Sequence, residues 1–283
     1  MSATLLSFGH GYSASALARI LLPLGWRIIG TTRSPERVAE LRASGVEPLV
    51  WASDAPVSLA GITHLLISAG PDERGDPVLN ALDDTIAAAA PGLTWAGYLS
   101  TTAVYGDHGG GWVDENTALS PASRRGRWRV AAEAEWRAIP GLPLHIFRLA
   151  GIYGPGRGPL AKLRAGTARR IVKPGQVFSR IHVEDIAQVL AASIDRPAPG
   201  AVYNLCDDDP APPEDVIEHA AKLLGLPVPP AIAFDRADLT PMARSFYGES
   251  KRVRNDRIKS ELGVVLKYPS YRDGLAALVN AET

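Results

Sequence analysis

Short apolar runs alternate with longer stretches of helical periodicity along the first half of the chain. The run Leu5, Leu6, Ser7, Phe8 predicts a strand, and a helix follows over 15–22. Strands are expected over 26–29, 48–51, 63–68, 95–100 and 144–149, and helices over 35–43, 77–89 and about 121–137. Repeated strand-helix-strand units predict an α/β fold, a Rossmann-like doubly wound parallel sheet. Right-handed crossovers would place helices on both faces and bring the carboxyl ends of the strands to one edge, where ligands bind. Proline and glycine become denser beyond residue 155. The expected division is therefore a dinucleotide-binding core over 1–155 and a mixed C-terminal part over 156–283. The latter holds a smaller substrate-binding region, with 178–205 returning to the core.

Chemistry is sought directly after each strand. The first is followed by Gly9-His10-Gly11-Tyr12-Ser13-Ala14, a G-x-G-x-x-A turn that opens a helix. Gly9 permits a sharp turn, Gly11 removes a side chain where backbone approaches a diphosphate, and Ala14 keeps the helix close to the sheet. Free N–H groups of the helix start, including those of Tyr12 and Ser13, would take the anion. After the second strand, where an acid would select NAD, the chain reads Thr32-Arg33-Ser34-Pro35. Arg33 can pair a 2′-phosphate and the hydroxyls of Thr32 and Ser34 can add donors, so NADP is expected, with NAD less favoured. Ser34 can equally cap a helix with Pro35 at its first position, and the two roles are compatible. Asp54 after the third strand can accept from an adenine amino group or cap a turn with Pro56. Ala69-Gly70-Pro71 after the fourth permits close approach of a cofactor and is also plain turn chemistry.

Composition narrows the partners. Of 283 residues 46% are hydrophobic and the formal net charge is zero, so neither nucleic acid nor an anionic membrane is recommended as a partner. A small-molecule substrate is expected instead. The single cysteine excludes an intramolecular disulfide, the N-terminus lacks a secretory pattern, and no apolar run nears the roughly 20 residues of a membrane span. A cytoplasmic protein is the expectation. The histidines show no metal-ligand spacing, and Asp207-Asp208-Asp209 reads as a turn, so no metal is expected. The glycine run Gly109-Gly110-Gly111 reads as a flexible loop, and 244–259 as a solvated helix face.

The motifs together carry a resemblance. The turn 9–14, Ser100-Thr-Thr-Ala-Val-Tyr-Gly106, Arg148-Leu-Ala-Gly-Ile-Tyr-Gly-Pro-Gly156, Arg180-Ile-His-Val-Glu-Asp-Ile-Ala187 and Val202-Tyr-Asn-Leu205 resemble an extended short-chain dehydrogenase/reductase of the NAD(P)-dependent epimerase/dehydratase family. The resemblance implies that Thr101 polarises a substrate carbonyl or hydroxyl, that Leu149 and Gly151 contact the nicotinamide, and that the protein forms a homodimer. Asp185 reads as an ordinary helix start. The family's Tyr-x-x-x-Lys pair is absent: placing its following Glu on Glu133 puts Arg129 at the Lys and Arg125 at the Tyr. Arg129 can still donate to ribose hydroxyls, whereas a guanidinium cannot act as the phenol does. Arg125 would then orient an anionic substrate, and Tyr105 is either the displaced general acid or a packed aromatic at the strand end. Two functions follow: an NADP(H)-dependent oxidoreductase or epimerase/dehydratase-like enzyme acting on a small anionic carbonyl or sugar-type substrate, or a non-catalytic NADP(H)-binding sensor or interaction protein.

Overall fold

The computed structural model describes residues 3–52 and 55–281. The first half follows the expected alternation: β1 (Thr4–Phe8), α1 (Tyr12–Leu21), β2 (Arg27–Thr32), α2 (Val38–Ala43), β3 (Glu47–Val50), β4 (His64–Ile67), α3 (Leu79–Ala89) and β5 (Trp95–Thr101). A two-residue β6 (Trp112–Val113), α4 (Arg124–Ala138) and β7 (Leu144–Leu149) come next. The C-terminal part contains β8 (Gly151–Tyr153), α5 (Pro159–Arg164), β9 (Arg170–Val172), β10 (Arg180–His182), α6 (Val183–Asp195) and β11 (Val202–Leu205). It ends with α7 (Pro213–Leu223), β12 (Ala231–Ala233), α8 (Pro241–Phe246), β13 (Arg252–Val253), α9 (Asp256–Ser260) and α10 (Tyr271–Asn280).

Seven strands form one parallel sheet in the order β3-β2-β1-β4-β5-β7-β11. Every residue of β1, β4 and β7 is buried, as a parallel strand covered on both faces must be, while edge strand β3 is buried nowhere. Leu17 and Leu21 of α1 meet Val189, Leu190 and Ile194 of α6 on one face; Ile86 of α3 and Trp136 of α4 fill the other. Each such fully buried side chain contributes about 1.5–3 kcal/mol. The order reverses direction between β1 and β4, the point at which a doubly wound sheet opens a crevice.

Several expected boundaries move. Helix α1 begins at Tyr12 instead of residue 15, because Gly11 is extended and acts as its N-cap, so turn and helix are continuous. The first turn expected at 35 is a 3-10 turn over Pro35–Arg37. Helix α4 begins at Arg124, where Ser123 Oγ accepts from Gly126 N at 3.1 Å. The stretch 244–259 is no solvated helix face: it divides among α8, β13 and α9, and Glu249, Ser250 and Lys251 are buried. Lys251 Nζ donates to Gly106 O and to Glu249 Oε2, both at 2.7 Å, which stations the ammonium beneath the loop after β5. The glycine run is likewise fixed: His108 N and Gly110 N donate to Ser250 O, and β6 pairs with β13. Asp207-Asp208-Asp209 is tied down by Asn255, Lys259 and Arg272. Among the described residues no group of three or more His, Cys, Asp or Glu could hold a metal ion, and no helix is long and apolar enough to cross a membrane.

Candidate functional site

The carboxyl ends of β1, β4, β5 and β7 meet around the first turn. Gly9 has φ +73°, and a Cβ there would lie 2.9 Å from Ala69 N, so the loops after β1 and β4 touch backbone to backbone. Gly9 N donates to Thr31 Oγ1 at 2.8 Å, fixing the turn to β2. Gly11 differs: its φ is −116°, and a Cβ would meet only Gly9 O at 3.6 Å. The fold needs glycine at position 9, while at 11 the missing side chain clears space beside the start of a ten-residue helix. Ser13 and Ala14 are buried against the sheet and Tyr12 is half-buried at the turn's rim.

The segment after β2 shapes the turn's other side. Arg33 is exposed and Ser34 half-buried, making no side-chain cap bond. Thr32 is directed into its own loop, its Oγ1 accepting from Ser34 N at 3.1 Å and donating to Ser34 O at 3.4 Å, so its proton is also engaged within the loop. Arg37 reaches back to the turn and donates to His10 O at 3.1 Å. Beneath it His10 is fully buried with both ring nitrogens unpartnered among the described residues, and burial, helped by Arg37, lowers its pKa to about 4. Asp54 lies outside the described residues.

Helix α4 approaches from the opposite wall. A Cβ at Gly126 would come within 2.9 Å of Ala103 O, so the first turn of α4 rests on the turn after β5. That contact carries Arg129 to the edge, where Nη1 donates to Leu99 O at 2.5 Å and to Tyr98 Oη at 3.1 Å. Its Nη2 faces Gly70, 3.2 Å from where a Cβ would stand. Arg125, one helical turn earlier, is exposed. Thr101 Oγ1 accepts from Ala103 N at 3.2 Å, a bond that does not use its hydroxyl proton. Pro71 is half-buried, Leu149 ends β7 inside the core, and Gly151 is exposed with its N–H donated to Ser179 O.

Tyr105 is corrected. It is 0% exposed, its hydroxyl donates to Asn204 Oδ1 at 2.7 Å and accepts from Arg148 Nη1 at 3.0 Å, and burial pushes its pKa up to about 12. Its hydroxyl is buried and engaged on both sides, the environment of a packed aromatic at the strand end. Its partner belongs to a network the sequence reading missed. Glu133, also 0% exposed, accepts from Arg148 Nε at 3.1 Å and Nη2 at 2.8 Å, from Ser100 Oγ at 2.5 Å and from Arg137 Nη2 at 3.2 Å. A usable signal existed: an arginine inside the otherwise apolar strand at 144–149 requires a buried anion. Asp185 also does more than begin a helix. His182 caps α6, and the Asp185 carboxylate accepts from Lys267 N and Tyr268 N.

No family model matches the chain. Protein YeeZ of Escherichia coli K12 is 31% identical over 279 residues, covering 92% of this chain and 94% of the relative. A 3-diazoavenalumate denitrifying reductase from a Streptomyces species is 30% identical over 143 residues, 46% of this chain and 45% of the relative. Among solved structures, a functionally unknown conserved protein from Silicibacter pomeroyi DSS is 69% identical, with 99% of both chains covered and a TM-score of 0.96. The human epimerase family protein SDR39U1 with NADPH superimposes at a TM-score of 0.75 with 17% identity, covering 98% of this chain and 99% of that one. The dTDP-glucose 4,6-dehydratase of Bacillus anthracis in complex with NAD gives 0.76 at 18% identity, covering 99% and 96%. The last two show the fold.

Proposed function

Because the chain belongs to the family of Protein YeeZ and shares its fold with an epimerase family protein and a dehydratase solved with NADPH and NAD, we propose that it is an NADP(H)-dependent oxidoreductase or epimerase-like enzyme. Its substrate in this reading is a small anionic carbonyl or sugar-type compound. The contrast between Gly9 and Gly11 carries the reading, since position 11 is kept clear although the fold would admit a side chain there. The nicotinamide cofactor, when bound, supplies hydride-exchange chemistry. Backbone N–H groups of 11–14 hold the diphosphate. Arg33 and Arg37 flank the 2′-phosphate and Arg129 Nη2 donates to ribose hydroxyls. Thr101 donates to the substrate oxygen and Arg125 pairs with its anionic group.

A second reading, a non-catalytic NADP(H) sensor, is favoured by one observation. Tyr105 is locked away by Asn204 and Arg148, and the family alignment would put Arg125 and Arg129 at the positions of an acid and its partner. Gly11→Ala tests the shared premise: the variant should unfold like wild type in calorimetry yet lose NADPH binding in titration by about 100-fold or more. Wild-type affinity in that variant would overturn the site. Screening carbonyl and sugar-nucleotide substrates with NADP(H) then separates the two functions, tight binding without turnover favouring the sensor.

A further inference from the structure

The loop after β8, Gly154-Pro155-Gly156-Arg157-Gly158, is folded back against the dinucleotide turn. Gly154 and Arg157 exchange N–H to carbonyl bonds of 3.0 Å each, closing a tight turn that presents Arg157 at its tip. Tyr12, the first residue of α1, donates its hydroxyl to Pro155 O at 3.0 Å. The Arg157 guanidinium lies over the Tyr12 ring, 5.5 Å from its centroid. Gly154 makes the approach feasible, for a Cβ there would come within 2.5 Å of Tyr12 Oη. The same space is faced by His182 Nε2, at 3.4 Å, a nitrogen fully buried and without a partner among the described residues.

Arg157 is exposed, and no described residue takes a hydrogen bond or ion pair from its guanidinium. Ring contact orients the group and leaves its N–H fork unspent. Tyr12 is also where the free N–H groups of α1 begin, so an anion on that helix start lies beside the ring that carries Arg157. We propose that Arg157 closes the dinucleotide site from the C-terminal side, pairing with the cofactor diphosphate, with Tyr12 as the positioning residue that holds it there. The inference rests on the dinucleotide reading above and divides the work among the cations: Arg157 serves the diphosphate shared by NADH and NADPH, whereas Arg33, beside Arg37, serves only the 2′-phosphate.

Calorimetric titration with ADP, 2′-AMP, NADH and NADPH tests the division. Arg157→Gln should weaken ADP, NADH and NADPH by about tenfold each, the loss of one charge-assisted contact, and leave 2′-AMP unchanged. Arg33→Ala should do the reverse, weakening 2′-AMP and NADPH only. Tyr12→Phe should give a smaller, parallel loss for the diphosphate ligands at unchanged melting temperature. If wild type binds NADPH and Arg157→Gln binds ADP as tightly as wild type, or loses 2′-AMP equally, the proposal is wrong and the dinucleotide reading stands. If wild type binds none of the four, both are overturned.

Discussion

The buried pair of Glu133 and Arg148 offers the sharpest test of how the candidate site is held. Their side chains are 0% and 4% exposed, and Glu133 accepts four hydrogen bonds from Ser100, Arg137 and Arg148. Glu133→Gln keeps the volume but turns an amide NH₂ toward donors it cannot satisfy, leaving the Arg148 charge uncompensated in the core. Breaking a buried pair in this way costs about 3–5 kcal/mol. At about 2–4 °C per kcal/mol for a large domain, melting should fall by roughly 6–20 °C. Arg137→Gln is the control: its side chain is 40% exposed, so losing its bond should cost no more than about 1 kcal/mol. The double variant Glu133→Gln/Arg148→Met removes both charges and should recover part of the loss. Denaturant unfolding at constant slope measures all four proteins. The same substitution should weaken NADPH binding although Glu133 touches no ligand, because α4 carries Arg129. If Glu133→Gln costs no more than Arg137→Gln, the pair does not hold α4 to the sheet and the reasoning fails.

Tyr105→Phe should cost about 1–3 kcal/mol by orphaning Asn204 Oδ1 and Arg148 Nη1 while sparing NADPH affinity and any turnover; loss of turnover in a folded variant would return the phenol to the reaction. Arg33→Ala should weaken NADPH about tenfold or more without changing NADH, and equal losses for both would remove the 2′-phosphate assignment. Stability should also depend on pH in two opposed ways. Burial holds His10, His64 and His182 at about 4, below their ordinary 6.5, so the stability they contribute is present above pH 6.5 and lost as pH falls toward 4. Burial pushes Asp207 up to about 8, so its contribution is lost as pH rises from the ordinary carboxylate range through 8. His64→Gln should therefore flatten the acid limb of the melting profile and Asp207→Asn the alkaline limb. A profile that neither substitution changes on its own limb would contradict these assignments.

The sheet, its parallel sense and the first turn were legible because they are local. Buried parallel strands read as continuous apolar runs, and Gly9 and Gly11 are adjacent to the strand and helix they join. Even the misjudged start of α1 is a local matter of three residues. Side chains whose role depends on distant partners were not legible. Tyr105 looked available because its own loop lies at the ligand edge, yet what disarms it lies 43 and 99 residues away at Arg148 and Asn204. Lys251 looked solvated until the loop 106–111 folded over it. Arg37 joined the site only once the turn, 27 residues earlier in the chain, was in place to receive it.

The sequence by itself determined the alternation of strands and helices over the first half of the chain, the glycine turn of Gly9 to Ala14 and the arginine that follows β2. Tertiary structure alone decided which polar groups remain free for a ligand. A hydroxyl or guanidinium has the same chemistry wherever it falls in the chain, and only burial and the geometry of its partners settle whether that chemistry is spent inside the fold, as at Tyr105 and Thr32, or left at the edge, as at Thr101 and Arg157.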